Sequence, residues 1–249
     1  MTPPRLKRVL ILGGTGDAIA LATQVAQLPA LEVITSIAGR TQNPSANASR
    51  VGGFGGAAGL ANYLRDRQID LLIDATHPFA AQISWHGATA AAEVGIPHLL
   101  LVRPAWSKTS GDRWLEVASH PEAAARLPGL AQRVFLTIGR QELAAYAALP
   151  EIWFLMRMID PPLPETPIPQ GKLLLERGPF RLDHERGLLL QHKIAAIVSK
   201  NSGGTATYAK IIAARELELP VVMVQRPAVP EITKVETVEA ALDWLKGYL

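Results

Sequence analysis

The sequence contains no cysteine, so disulfide bonds and thiolate chemistry are excluded. A cysteine-free chain fits a reducing compartment, and we expect the protein to be cytoplasmic. No segment approaches the roughly 20 consecutive apolar residues that a membrane-spanning helix needs. The apolar run after the basic N-terminal residues is short and leads directly into a glycine-rich turn, so it is not expected to be a signal peptide.

The sequence also lacks the short motifs of several enzyme classes. It has no H-E-x-x-H or other close histidine spacing for a metal, and no G-x-S-x-G nucleophile motif. None of its four tyrosines is followed, four positions later, by the lysine that short-chain dehydrogenases use. From the histidine spacing we expect no metal. We also assign no catalytic side chain, because the missing Tyr–Lys pair indicates a hydride acceptor that needs little acid catalysis.

The charge of the chain limits its partners. The formal net charge is +3 at pH 7, which favours an anionic partner. Lysine and arginine form no dense run, so an acidic small molecule fits better than a nucleic acid. We expect a polyanionic small-molecule substrate, no nucleic acid, no membrane and a monomeric protein.

Two stretches of the sequence share one pattern. Residues 71–104 and 194–227 each contain an apolar run, a small polar turn, an alanine-rich stretch and a second apolar run that ends in Arg-Pro. Pro97 matches Pro220 and Arg103 matches Arg226, both 123 positions apart. The pattern predicts two similar α/β domains with a cleft between them, where small-molecule sites tend to form.

Short runs of Val, Ile and Leu without polar alternation are typical of strands buried on both faces of a parallel sheet. Such runs occupy 8–12, 31–37, 71–74, 99–102, 134–137, 152–158, 194–199 and 221–224. Helical stretches are predicted at 18–27, 59–67, 79–94, 141–148, 204–216 and 238–248. The alternation predicts two doubly wound, Rossmann-like parallel-sheet domains, which we place at 1–105 and 106–249.

A glycine-rich turn follows the first predicted strand. It consists of Gly13, Gly14, Thr15, Gly16 and Asp17. Its backbone N–H groups and the helix after it can face a pyrophosphate, so these residues are predicted to bind a dinucleotide on the first domain. The spacing is a GGTG variant rather than a strict G-x-G-x-x-G motif, and a tight turn without a ligand is the alternative.

The end of the second strand selects between NAD and NADP in such folds, because an acidic residue there accepts from the ribose 2′-hydroxyl. Here the sequence has Ser36 and Arg40 and no acid. A hydroxyl and a guanidinium suit a 2′-phosphate, so we favour NADPH over NADH, which stays possible. A solvated loop position for Arg40 is the alternative.

Two loops combine arginine, glycine and phenylalanine. RVGGFGG at 50–56 has four glycines around one aromatic residue, and ERGPF at 176–180 lies at a similar place in the second half. Such loops can approach a large flat ligand closely. We assign Arg50, Gly53, Phe54 and Arg177 to the substrate; the alternative is two flexible loops with buried phenylalanine anchors.

Two further loops follow the central strands of the predicted sheets. In DATHPF at 74–79 we assign Thr76 and His77 to the cofactor, with helix capping by His77 as the alternative. The matching loop of the second half offers a cation, polar side chains and glycines before a predicted helix, which suits an anion. We assign it to the substrate, although the loop alone leaves open whether the anion is a carboxylate or a cofactor phosphate; its residues are Lys200, Asn201, Ser202, Gly203 and Gly204.

Several of these motifs together resemble those of the precorrin-6A and cobalt-precorrin-6A reductases of cobalamin biosynthesis. The motifs are GGTGDA at 13–18, RVGGFGG at 50–56, DATHPFA at 74–80, RP-x-W at 103–106, ERGPF at 176–180 and KNSGG-x-x-TYAK at 200–210. They occur in order along almost the whole chain.

The resemblance implies that a nicotinamide cofactor reduces one double bond of a flat macrocycle with acetate and propionate arms. It leaves open whether the ring already holds cobalt. The alternatives are an NADP-binding sensor or scaffold, and an atypical short-chain reductase of a small carbonyl compound.

Overall fold

A computed structural model describes residues 5–38 and 50–249 of the chain. The strands are β1 Lys7–Leu12, β2 Leu31–Ile37, β3 Arg50–Val51, β4 Leu71–Asp74, β5 His98–Leu101, β6 Arg113–Val117, β7 Arg133–Thr137, β8 Trp153–Met158, β9 Gly171–Leu175, β10 Ala196–Lys200, β11 Pro220–Val224 and β12 Thr233–Val235. The α-helices are α1 Gly16–Val25, α2 Gly56–Asp66, α3 Ala81–Val94, α4 His120–Ala125, α5 Leu182–Gln191, α6 Ala209–Glu216 and α7 Val238–Lys246. A 3-10 helix spans Arg140–Tyr146. Among the described residues, no helix is both long and apolar enough to cross a membrane.

The chain forms two compact units, each with a six-stranded parallel sheet. The first sheet has the order β12-β5-β4-β1-β2-β3, and the second has the order β6-β11-β10-β7-β8-β9. Position by position, the two orders match. The predicted fold class, two similar parallel-sheet α/β domains, is confirmed.

The boundaries of these units differ from the predicted ones. Unit 1 contains the chain up to Pro104 together with Pro227–Leu249, and unit 2 contains Ala105–Arg226. The predicted second domain, 106–249, is therefore wrong in its last part. The physical reason is β12, which pairs in parallel with β5 of the first sheet, while α7 packs its Ala241 and Leu245 into the core of unit 1.

The repeated sequence pattern corresponds to a repeated βαβ unit. Residues 71–104 form β4, α3 and β5, and residues 194–227 form β10, α6 and β11, as predicted. Each Arg-Pro pair stands at a unit boundary. The chain after Arg103-Pro104 forms β6, which pairs with β11 at the edge of the second sheet. The chain after Arg226-Pro227 forms β12, which pairs with β5 at the edge of the first sheet.

The strands of unit 1 are apolar on both faces because helices cover both faces. Val9 and Ile11 pack with residues of α1 and α7, whereas Leu10 and Leu12 pack with residues of α2 and α3. Successive strand side chains point to opposite faces, so an uninterrupted apolar run is what a doubly covered strand requires.

Candidate functional site

The loop after β1 has the geometry of an anion-binding turn. Gly14 has a φ of +111°, a conformation that glycine adopts without strain. A Cβ added at Gly14 or Gly16 would meet no atom within 4 Å among the described residues, so the approach to the start of α1 is open. The orphan N–H groups of a helix N-terminus beside such space fit a pyrophosphate.

Thr15 fixes this loop in place. Its hydroxyl accepts from the backbone N–H of Ala18 at 3.1 Å as the N-cap of α1 and donates to the carbonyl of Ala75 at 2.8 Å. Asp17, in the first turn, pairs with the guanidinium of Arg103 at 2.8 Å. These side-chain contacts hold the loop in place. The groups of the loop that can bind an anion are its backbone N–H groups.

Ser36 connects this loop to the end of β2. The carbonyl of the buried Ser36 accepts from the N–H of Gly13 at 2.8 Å. Arg50 is in register with Ser36 in the neighbouring strand β3, and its Nη1 lies 3.2 Å from the Ser36 hydroxyl oxygen. The structure thus places Arg50, assigned to the substrate from the sequence, beside a residue assigned to the cofactor. Arg40 lies outside the described residues.

The other residues of this glycine-rich loop hold the Arg50 side chain. Gly53 accepts from Nη2 of Arg50 at 2.8 Å, and the guanidinium carbon lies 3.7 Å from the centre of the Phe54 ring. Phe54 also contacts Tyr63 edge-on, with ring centres 5.2 Å apart. Phe54 is therefore packed against protein groups. This packing resembles the alternative stated for this loop, in which the phenylalanine is a structural anchor.

The loop after β4 is organised by a buried carboxylate. Oδ1 of Asp74 accepts from the N–H of Thr76 at 2.9 Å and from its hydroxyl at 2.6 Å, whereas Oδ2 has no partner among the described residues. Nδ1 of His77 accepts from the N–H of Phe79 at 3.2 Å. In its neutral form His77 therefore carries its proton on Nε2, which suits donation to an anion.

In unit 2, the loop after β10 is attached to Trp106. The side-chain amide of Asn201 accepts from the N–H of Trp106 at 2.8 Å and donates to its carbonyl at 3.1 Å. The indole N–H donates to the carbonyl of Gly204 at 2.7 Å. The sequence analysis did not assign Trp106, although the RP-x-W motif contains it.

The structure corrects the expectation that a helix begins directly at residues 200–204. The helix predicted to begin at Gly204 begins at Ala209, so the loop does not stand at a helix N-terminus. Gly203 and Gly204 have φ values of +67° and +74°. The side chain of Asn201 is engaged with protein backbone through its carbonyl oxygen and one of its two amide N–H groups.

Lys200 lies next to a cluster of His120, Glu142 and Tyr146. Its Nζ is 3.4 Å from Oε1 of Glu142, and Nδ1 of His120 is 2.9 Å from the Tyr146 hydroxyl. Burial, aided by Lys200 and opposed by Glu142, lowers the pKa of His120 to about 4. Burial and the Glu142 charge raise the pKa of Tyr146, so both rings are neutral at pH 7. Among the described residues, no group of three His, Asp or Glu is placed to hold a metal ion.

Glu142 also lies at the position in unit 2 that corresponds to the glycine-rich loop Gly13–Asp17 of unit 1. Gly139 follows β7 as Gly14 follows β1, and a Cβ on Gly139 would come within 2.6 Å of Oε2 of Glu142. A carboxylate at this position repels a phosphate. Of these two corresponding loops, only the one after β1 is open to an anion among the residues that the structure describes.

Arg177 belongs to a loop that is joined to the loop after β10. Phe180 donates from its backbone N–H to the carbonyl of Ala206 at 3.1 Å. Beneath it, the buried Arg157 stacks on the Phe180 ring at 3.6 Å. Arg177 itself is exposed and forms no hydrogen bond or ion pair with the residues that the structure describes. It is therefore a cation available to an anionic ligand.

Two buried basic residues, which the sequence analysis did not assign, support these loops. Arg157 is paired with the buried Glu185 on α5. Lys210 is also buried, and its Nζ donates to the carbonyl of Thr207 at 3.0 Å. Burial and the Arg157 charge lower the pKa of Lys210 to about 7, against the opposing effect of Glu185. The KNSGG-x-x-TYAK motif contained Lys210, but only the structure shows that it lies inside the protein.

Comparison with known proteins gives one consistent result. Residues 8–246 match the family described as precorrin-6x reductase CbiJ/CobK. A precorrin-6A reductase of Rhodococcus erythropolis is 48% identical over 96% of this chain and 98% of its own length. One from Rhodobacter capsulatus is 42% identical over 98% of this chain and 97% of its own.

A solved structure named CobK precorrin-6A reductase has the same fold. It superposes with a TM-score of 0.91 at 41% identity and covers 98% of this chain and 97% of its own. Cobalt-precorrin-6A reductases also match, at 26–29% identity. The match over nearly the whole length, together with the two sheets of equal strand order, shows that the chain belongs to the precorrin-6x reductase family.

Proposed function

We propose that this protein catalyses the NADPH-dependent reduction of precorrin-6A, as an oxidoreductase that acts on a CH–CH bond of the macrocycle. The observation that carries the proposal is the identity of 42–48% with precorrin-6A reductases over nearly the full length of both chains. The open loop Gly13–Asp17 at the start of α1 adds the structural feature that such an enzyme needs for a dinucleotide.

The cofactor belongs on unit 1 in this proposal. Backbone N–H groups of Gly14, Thr15 and Gly16 bind the pyrophosphate, and Nε2 of His77 is a further donor. The cofactor supplies a hydride from C4 of its nicotinamide ring when bound. The absence of an acid at the end of β2 favours NADPH over NADH, because no carboxylate there accepts from a ribose hydroxyl.

The carboxylate arms of the macrocycle are bound by unit 2 in this proposal. Lys200 and Arg177 supply the charge, and Ser202 with the Gly203–Gly204 backbone supplies neutral donors. These groups orient the ring, and orientation is the main contribution of the chain because the conjugated system takes up the charge of the hydride. A proton must also be added to complete the reduction, and no side chain is assigned to that step.

The cobalt-free substrate is the better supported one. Precorrin-6A reductases are 42–48% identical to this chain, whereas cobalt-precorrin-6A reductases are 26–29% identical. We also place the reaction in the cytoplasm, as expected for a cysteine-free biosynthetic enzyme.

The proposal is tested by incubating the protein with NADPH and either precorrin-6A or its cobalt complex, and by following nicotinamide absorbance and product mass. We expect NADPH oxidation and a product heavier by two hydrogen atoms, faster with the cobalt-free ring. Tight NADPH binding without oxidation in the presence of precorrin-6A would contradict the enzyme and support the sensor alternative. Faster turnover of the cobalt complex would overturn the substrate assignment.

A further inference from the structure

Arg50 is the one cation in the sequence of the glycine-rich loop at 50–56, and it lies in β3 beside the end of β2. Arg50 pairs in register with Ser36, and Ser36 in turn accepts from Gly13 of the pyrophosphate-type loop. In a Rossmann-type sheet the adenosine ribose of a dinucleotide lies at the end of the second strand. Arg50 therefore stands where a substituent on that ribose would lie.

The Arg50 side chain is fixed before any ligand binds. Its guanidinium carbon lies 3.7 Å from the centre of the Phe54 ring and 5.2 Å from that of Tyr63. Its Nη atoms donate to the carbonyls of Gly52 at 2.5 Å and Gly53 at 2.8 Å. A cation held in one orientation binds an anion with less loss of side-chain entropy.

Within the described part of the chain, the polar partners of Arg50 carry no negative charge. Its partners are one hydroxyl and two backbone carbonyls, and no carboxylate pairs with it among the residues that the structure describes. A buried or half-buried arginine is normally paired with an anion. A dianionic phosphate ester beside Ser36 would supply that anion through charge-assisted hydrogen bonds.

We propose that Arg50, together with the Ser36 hydroxyl, binds the 2′-phosphate of the cofactor and determines the preference for NADPH over NADH. This inference rests on the proposed cofactor site of unit 1, and it moves the loop at 50–56 from the substrate to the cofactor. The competing explanation is purely structural: Arg50 would only fix the carbonyls of Gly52 and Gly53.

Binding of adenine nucleotides separates the two explanations without turnover. We would titrate 2′,5′-ADP, which carries the 2′-phosphate, and 5′-ADP, which lacks it, into the wild type and Arg50→Gln by calorimetry. We expect Arg50→Gln to weaken 2′,5′-ADP binding by about 10- to 100-fold, as for a lost hydrogen bond to a charged group, and to change 5′-ADP binding by less than about threefold.

One matched variant serves as a control, and a second tests the competing arginine. Arg67→Gln removes another arginine near the Tyr63 ring, whose centre lies 5.9 Å from its guanidinium carbon, and should leave both affinities unchanged. Arg40→Gln tests the arginine chosen from the sequence. Thermal unfolding of each variant confirms that it is folded before its affinities are compared.

The outcomes distinguish this inference from the proposed function. Equal losses for both nucleotides in Arg50→Gln would make Arg50 a structural residue only. A preference for 2′,5′-ADP that survives in Arg50→Gln but is lost in Arg40→Gln would assign the 2′-phosphate to Arg40; either result overturns the inference and leaves the cofactor site intact. If neither nucleotide binds the wild type, the cofactor site itself is wrong.

Discussion

The side-chain amide of Asn201 forms two hydrogen bonds with the backbone of Trp106, one to its N–H at 2.8 Å and one to its carbonyl at 3.1 Å. Through them, the loop after β10 is tied to the segment that follows the unit boundary at Pro104. The Asn201 side chain is itself buried, and both hydrogen bonds are partly shielded from solvent.

We expect Asn201→Ala to lower the free energy of unfolding by about 1–3 kcal/mol, because it removes both hydrogen bonds to the partly buried backbone of Trp106. Urea unfolding at pH 7 measures the change. The control is Asn62→Ala, at an exposed position on α2, which should change stability by less than about 0.5 kcal/mol. Equal effects of the two substitutions would show that the double hydrogen bond is not a stabilising contact.

Two helical glycines should respond in opposite directions to alanine. A Cβ on Gly59 in α2 would come within 1.8 Å of the Phe54 carbonyl oxygen, whereas a Cβ on Gly187 in α5 would meet no atom within 4 Å. We expect Gly59→Ala to lower the free energy of unfolding by about 1–3 kcal/mol. It should also weaken NADPH binding, because the guanidinium of Arg50 packs on the ring of Phe54. Gly187→Ala should stabilise by about 0.5–1 kcal/mol. Unfolding midpoints check both; a stable Gly59→Ala protein would show that the loop can move without cost.

His120 should make the stability depend on acid. Its pKa is lowered from 6.5 to about 4, so the unfolded chain takes up a proton on this residue at a higher pH than the folded protein does. The contribution of His120 to the free energy of unfolding is therefore at its maximum above pH 6.5. It falls as the pH drops towards 4, by up to about 1.4 kcal/mol per pH unit.

The comparison of His120→Asn with the wild type isolates this contribution, because every other ionisable group of the chain is present in both proteins. Urea unfolding at several pH values should show a shallower loss of stability in the variant between pH 6.5 and 4. Parallel curves over that range would mean that His120 is protonated in the folded protein.

Lys200→Ala should raise KM for the macrocycle by about tenfold, leave NADPH affinity nearly unchanged and lower kcat only modestly. The reason is that, in the proposed function, the lysine holds a carboxylate arm and takes no part in proton transfer. Steady-state kinetics and a separate NADPH titration measure these values, with the exposed Lys246→Ala as a control. Lost cofactor binding would assign the loop to the nucleotide, and a collapse of kcat at unchanged KM would make Lys200 an acid catalyst.

Much of the fold was predictable because the central strands are covered on both faces. Strands such as β1 and β4 are uninterrupted apolar runs, and the predicted bounds of β4, 71–74, equal the observed ones. The elements that were missed lack this signal. Strand β3 has two residues, β12 has three, and α5 places the buried charge of Glu185 on its inner face, where a pattern search expects an apolar residue.

The sequence predicted the candidate site only where the residues of a single loop form it. The turn at Gly13–Asp17 has its geometry in its own sequence, since glycines and an N-capping threonine specify it locally. The proximity of Arg50 to Ser36 depends on the pairing of β3 with β2 across a gap in sequence. The use of the Asn201 amide on Trp106 depends on residues 95 positions apart, which no local pattern reveals.

The transfer of a labelled hydride tests the central claim most directly. The protein is incubated with precorrin-6A and NADPH that carries deuterium at C4 of the nicotinamide ring, on each of its two faces in turn, and the product is analysed by mass spectrometry. The account predicts that deuterium from one face, and from that face only, appears on a carbon of the macrocycle. A reduced product without deuterium from either cofactor, or no reduction although NADPH is bound, would contradict it.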